Sequence, residues 1–158
     1  MTTPEPQSRQ GLSIEQALEK QGMLICPVEG NSMMPFLCER TDVVRLVPTN
    51  GLLKKYDLPL YRRPNGALVL HRIIKVKKKH YVICGDNRQF YERVPHEWVI
   101  ALAEGRYRDG EYLSFDEEEH RAQVVAICAA RDGFRGRFRA GLAKMEIYWK
   151  ALFKKLSR

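Results

Sequence analysis

The sequence predicts a mainly β domain, with one short helix ahead of the strands and two helices behind them. Two observations carry this. Between residues 23 and 113, short β-branched or apolar runs are separated by Pro, Gly, Asn and charge, which is the texture of strands and turns. Beyond residue 113, apolar residues recur at spacings of three and four, which is helical.

The elements follow in order. Residues 1–10 read as a disordered leader. Ser13-Ile14-Glu15-Gln16 fits a capping box, and "SIEQALEKQG" reads as a short amphipathic helix stopped by Gly22. The runs "MLICPV", "DVVRLVP", "PLYRR", "ALVLHRIIKVK", "HYVICGD" and "EWVIALAEG" are the expected strands. Pro64-Asn65-Gly66 is a turn signal and Lys77-Lys78-Lys79 a solvated hairpin tip. They bracket a long strand, 67–76, expected to pair with 80–84. After Asp109-Gly110 the pattern turns helical, with Ser114 as N-cap candidate, acids in the first turn and Gly133 near the end. Phe134, Phe138, Leu142, Met145, Trp149, Leu152 and Leu156 then form one stripe on a second helix whose other face is basic. The expected organisation is a leader and helix over 1–22, a β domain over 23–113 and a helical extension over 114–158.

A chain of 158 residues can bury a substantial core. No run approaches the eighteen or so apolar residues of a membrane span, and "MTTPEPQSRQ" lacks the apolar stretch of a secretion signal. The expected location is therefore the cytoplasm. Cys26, Cys38, Cys84 and Cys128 are scattered, without metal-ligand spacing; neither a disulfide framework nor a metal site is expected, and no cofactor. Of the net charge of +8, residues 131–158 hold +7, from 9 basic and 2 acidic residues. The basicity thus belongs to the tail. Its last helix either packs its stripe on the domain or lies on anionic lipid at the inner membrane face through residues 134–158. Charge alone brings no nucleic-acid motif with it, and no nucleic-acid partner is expected.

Three patches carry chemistry: Gly30-Asn31-Ser32-Met33-Met34-Pro35, Leu70-His71-Arg72-Ile73 and Cys84-Gly85-Asp86-Asn87. Each alone has an ordinary reading, as a turn hydroxyl, a packed strand histidine and a strand-ending turn. Together they form a chemical set. A serine becomes a nucleophile when a base takes its proton, and neutral imidazole, at about 6.5, needs little adjustment for that task. Asp86, at the turn after the neighbouring strand, could orient the imidazole. Gly30 and Asn31 let backbone N–H groups near Ser32 approach a developing oxyanion.

The run G-N-S-M-M-P-F-L resembles the Ser-Met-x-Pro nucleophile box of type I signal peptidases and the related SOS-repressor autoproteases. The following "KKYDLPLYRRPNGALVLHRIIKVKKKHYVICGDN" resembles the family's next two boxes, in order. His71-Arg72-Ile73 is similar to the Ser/His, endoplasmic-reticulum-like type rather than the Ser/Lys type. The resemblance spans roughly residues 23–105. It implies a coiled, partly closed antiparallel sheet, Ser32 as nucleophile and His71 as general base. It also implies Asp86 as the acidic residue, the Ser32 N–H as an oxyanion donor, and Met33 and Pro35 shaping the loop. Three departures stand out. Gly30 replaces a hydroxyl residue often found in Lys-type members, Arg88-Gln89-Phe90-Tyr91-Glu92 replaces the usual Ser-x-Asp-Ser-Arg-like run, and the N-terminal membrane anchor is missing.

The expected activity is therefore serine endopeptidase processing of a leader or signal-like segment bound in extended form. A fold that binds a peptide without cutting it is the alternative. A self-cleaving repressor relative is a weaker one, because only about 22 residues precede the first strand.

Overall fold

The structure, a computed structural model, describes residues 13–118, 120–131 and 133. The expectations for the leader and for the amphipathic stretch 134–158 lie outside the described residues.

Helix α1 spans Ile14–Gln21 and is bounded by its sequence signals. The Ser13 hydroxyl accepts from the Gln16 N–H while the Gln16 side chain accepts from the Ser13 N–H. Gly22 closes the helix at φ 73°, and its N–H returns to the Leu18 carbonyl. Only Leu18 of this helix is fully buried.

Nine strands follow: β1 Leu24–Pro27, β2 Asp42–Pro48, β3 Leu58–Arg62, β4 Leu68–Leu70, β5 Arg72–Val76, β6 His80–Cys84, β7 Glu92–Pro95, β8 Val99–Arg108 and β9 Glu111–Ser114. All pairings are antiparallel. Six strands make a curled sheet, a half-barrel, in the order β1-β2-β8-β3-β4, with β9 added to the far half of β8. The remaining three form a second sheet, β5-β6-β7. Mainly β architecture of a curled antiparallel kind, with a helix near each end, is thus what the chain adopts.

Two boundaries differ from expectation. The long strand expected over 67–76 is divided at His71. Leu68–Leu70 pairs with β3 in the half-barrel, whereas Arg72–Val76 pairs with β6 in the second sheet. The two halves differ in burial as well: Leu68 is exposed and Val69 and Leu70 are half-buried, whereas Arg72, Ile73 and Ile74 are buried. The helical texture expected after Asp109-Gly110 also starts later. That dipeptide, at φ 53° and 85°, is a tight hairpin turn into β9. Ser114 ends that strand, and its hydroxyl accepts from the Asp116 N–H at 3.3 Å instead of capping a helix. Helix α2 takes in the described residues 118, 120–131 and 133, and its first turn is closed by the Arg121 N–H donating to the Glu117 carbonyl at 3.1 Å.

Two buried clusters hold the layers. The larger lies inside the half-barrel, where Phe36, Leu37, Leu46 and Leu58 meet Leu18 of α1 and Val124 and Cys128 of α2. The smaller joins the two sheets through Tyr61, Ile73, Tyr81, Ile83 and Val94. Cys84 and Cys128 are buried and Cys26 and Cys38 half-buried. Among the described residues, no helix is long and apolar enough to cross a membrane.

Candidate active site

The serine lies on a turn fixed from below. After β1 the chain reverses at Gly30, whose φ of 77° suits a residue without Cβ. Residues 31–37 then coil tightly, with Met34 N–H to Asn31 O and Leu37 N–H to Met33 O. Met33, Phe36 and Leu37 drop into the core, while Asn31 and Met34 stay exposed and Ser32 is half-buried. The peptide between Met34 and Pro35 is cis. The far end of the turn is pinned as well. Asp42 is buried and accepts from the Cys38 N–H at 2.8 Å and from Arg108 at 2.6 Å, and Arg106 donates to the Phe36 carbonyl. Apolar anchors and a buried ion pair therefore leave the hydroxyl-bearing residue little backbone freedom.

The second box clamps that turn. The Asn87 N–H donates to the Ser32 carbonyl at 2.8 Å, and Asn87 Nδ2 donates to the Asn31 carbonyl at 3.2 Å. Arg88 Nη2 reaches Asn31 Oδ1 at 3.0 Å. Gly85 fills the space between: a Cβ placed on it would stand 2.7 Å from the Ser32 carbonyl and 3.1 Å from His71 Nε2. The Gly-Asp-Asn turn thus brings the serine turn and the histidine ring close against one glycine.

His71 sits where the chain passes from one sheet to the other. It is 8% exposed and shares with Ser32 the wall of a pocket of about 540 Å³. The same pocket is bordered by the end of β1, from Cys26 to Gly30, and by β4, from Leu68 to Leu70. Those two strands are the ends of the half-barrel's pairing order. Among the described residues no hydrogen bond joins the Ser32 hydroxyl to His71.

The carboxylates are not arranged as the sequence suggested, and the expected role of Asp86 needs correcting. Asp86 points away from His71. It grips Arg72, whose Nε donates at 2.8 Å and Nη2 at 2.6 Å, with both side chains withdrawn from solvent. Arg72 also donates to the Tyr56 carbonyl and lies over the Phe36 ring at 4.4 Å. A guanidinium carried into the interior by β5 requires an anion, and Asp86 supplies it.

The acid beside His71 is Glu92, at the start of β7. Its Oε1 lies 3.3 Å from His71 Nδ1. The same carboxylate accepts from Tyr61 Oη at 3.1 Å and from Arg63 Nε at 2.9 Å and Nη2 at 2.5 Å. Tyr61 Oη is itself 3.4 Å from Nδ1. Burial pushes His71 below its ordinary value, against the opposing pull of the Glu92 charge. Burial would raise Glu92, but the hydrogen bonds and charge of Arg63 outweigh it and hold the carboxyl below the usual range. Burial, with Glu92 alongside, pushes Tyr61 well above the usual phenol value, so its proton stays available for donation.

The structure therefore brings Ser32, His71, Gly30, Asn31 and Met33 together, places Pro35 in the supporting turn, and turns Asp86 to Arg72. Tyr61, Arg63 and Glu92 were not anticipated. Glu92 falls in the run that departs from the Ser-x-Asp-Ser-Arg pattern, and its position depends on the pairing of Ile83 with Glu92 between β6 and β7. The nearest local signal was Arg72 itself: an arginine among Leu70, Ile73 and Ile74 needs a buried acid, and Asp86 was the acid within reach.

Comparison with protein-family models, with curated proteins and with solved structures finds no match to the chain.

Proposed function

We propose that the chain is a serine endopeptidase of the signal-peptidase-like type, removing a leader or signal-like segment from a peptide or protein. The observation that carries this reading is the shared pocket: a half-buried serine and a buried histidine flank Gly85 at the meeting point of two strand edges. Ser32 Oγ attacks the scissile carbonyl while His71 Nε2 takes its proton. The proton then passes to the leaving amine, and water hydrolyses the acyl-enzyme by the same route. The Ser32 N–H, in the turn opened by Gly30 and Asn31, faces the oxyanion. Catalysis requires the Ser32 hydroxyl within hydrogen-bond reach of His71 Nε2, a contact that in free enzymes is commonly long.

The substrate binds as an added strand. β1 and β4 each end the pairing order among the described residues, so an extended segment entering the pocket can pair with a sheet edge. Small side chains beside the cut are expected from the family resemblance. The same reading expects the protein in the cytoplasm, with residues 134–158 either packed on the domain or in contact with anionic membrane.

Because burial holds His71 below its ordinary 6.5, the neutral base persists to mildly acidic pH. The acid limb of the rate profile is expected below pH 6.5, and a limb above 7 contradicts the assigned base.

A fluorophosphonate probe tests the chemistry directly. Labelling of the wild-type chain is expected at Ser32, lost in Ser32→Ala and reduced by several orders of magnitude in His71→Ala. The missing Ser32–His71 hydrogen bond favours a second reading, a peptide-binding fold that does not cut. Well-folded protein that the probe never labels would remove the enzyme and favour that reading.

A further inference from the structure

We propose that Glu92 is the positioning residue for His71, holding the imidazole with its proton on Nδ1 and its lone pair on Nε2. The inference rests on the Ser32/His71 reading and extends it to a residue outside all three sequence boxes.

Three groups meet at one point: His71 Nδ1, Tyr61 Oη and Glu92 Oε1. Glu92 is an anion held by Arg63, so it only accepts. Tyr61 has a single proton, and its shorter contact, 3.1 Å, runs to Glu92. The phenol oxygen therefore turns a lone pair toward Nδ1. With two acceptors at 3.3 and 3.4 Å, Nδ1 must be the donor. Its proton cannot also sit on Nε2 while the ring is neutral. Nε2 is left basic, on the side of Gly85 and the Ser32 turn.

When Nε2 takes the serine proton, the ring becomes an imidazolium with both nitrogens protonated. Nδ1 keeps its proton, and Glu92 keeps its charge facing it. No proton needs to pass to Glu92. Arg63 and Tyr61 hold the carboxylate in place, as a second layer of orientation.

The charged and titrating groups around His71 are Glu92 from β7, Tyr61 from β3, Arg63 just after it, and Arg88 from the turn after β6. Their signs give opposing predictions. Glu92→Gln removes the group favouring imidazolium and leaves burial, Arg63 and Arg88, so His71 titrates at lower pH. Arg63→Gln removes a positive neighbour and moves the titration upward. The opposite shifts report the charges around His71; the tautomer and the labelling rate report whether Glu92 positions the ring.

The test uses full-length protein. Nitrogen-correlated NMR spectra of the imidazoles, followed against pH, report the His71 tautomer and titration; fluorophosphonate labelling reports the rate. The wild type is expected as the Nδ1–H tautomer. Glu92→Gln is expected to label about 10²-fold more slowly at its plateau, a smaller loss than in His71→Ala, with its acid limb moved down in step with the NMR titration. Should Glu92→Gln fail to fold, the wild-type tautomer carries the test: Nδ1–H is expected, and Nε2–H overturns the role of Glu92. An Nε2–H tautomer, or unchanged titration and rate in both variants, overturns the role of Glu92 and leaves Ser32 and His71 standing. Wild-type protein that is never labelled overturns the peptidase reading and the catalytic role of Glu92 with it.

Discussion

Asp86→Ala is expected to lower the unfolding free energy by about 3–5 kcal/mol, the range for removing one partner of a buried ion pair. The reason is the state it leaves behind. Arg72 is 1% exposed and enters the interior with β5, and Asp86 takes three of its hydrogen-bonding contacts. Without the carboxylate, the guanidinium keeps only the Tyr56 carbonyl and the face of Phe36. Phe36 lies in the serine turn, so the disturbance spreads toward the site. Asp86→Asn, which retains one acceptor but no charge, should cost less than Asp86→Ala. Urea denaturation of the two variants gives the ordering. The pH profile of Ser32 labelling, measured on folded protein, separates structure from chemistry. It should keep its acid limb in Asp86→Asn, because the carboxylate lies against Arg72 and not His71. A normal midpoint with a displaced acid limb would return Asp86 to the proton relay.

This correction shows which parts of the site can be read along a chain. The serine turn is local: Gly30, the buried Met33, Phe36 and Leu37, and the exposed Asn31 follow from residues next to Ser32. The capping box at Ser13 and the stop at Gly22 are local too, and the runs rich in Val, Ile and Leu mark β1, β2, β3, β6 and β8. Partner choice is not local. "HRI" places a base beside a buried cation, and "GDN" offers one acid to both. Burial decides in favour of Arg72, which is always charged, over His71, which can be neutral. The division of 67–76 into two strands is equally silent, since neither glycine nor proline marks the passage and both halves need apolar side chains. Glu92 is invisible for a further reason. Its neighbours Phe90 and Tyr91 are exposed, and its contacts with Tyr61, Arg63 and His71 arise only once β3, β7 and the sheet junction meet.

Gly85→Ala is expected to slow Ser32 labelling by about 10²-fold, the scale of loss when reacting groups are displaced by about 1 Å. The glycine is needed for space, because its φ lies outside the left-handed region. An added methyl would stand 2.7 Å from the Ser32 carbonyl, which is backbone, 2.9 Å from Arg88 Cγ and 3.1 Å from His71 Nε2. The Arg88 side chain can swing aside. The Ser32 carbonyl cannot, since it is held by the Asn87 N–H and its turn is rooted through Met33 and Phe36. Relief must come from parting the serine turn from the 85–88 turn, or from tilting the imidazole; either lengthens the path from Ser32 Oγ to Nε2. Crowding of this kind also costs about 1–3 kcal/mol of stability. Gly133→Ala, where the new Cβ meets nothing within 4 Å among the described residues, is the control and should label as the wild type does. Comparing labelling at a temperature where both variants are folded isolates the positional effect. Equal rates in Gly85→Ala and the control would mean that the two turns do not need this close approach for the chemistry, and that the Ser32/His71 pair is not assembled across Gly85.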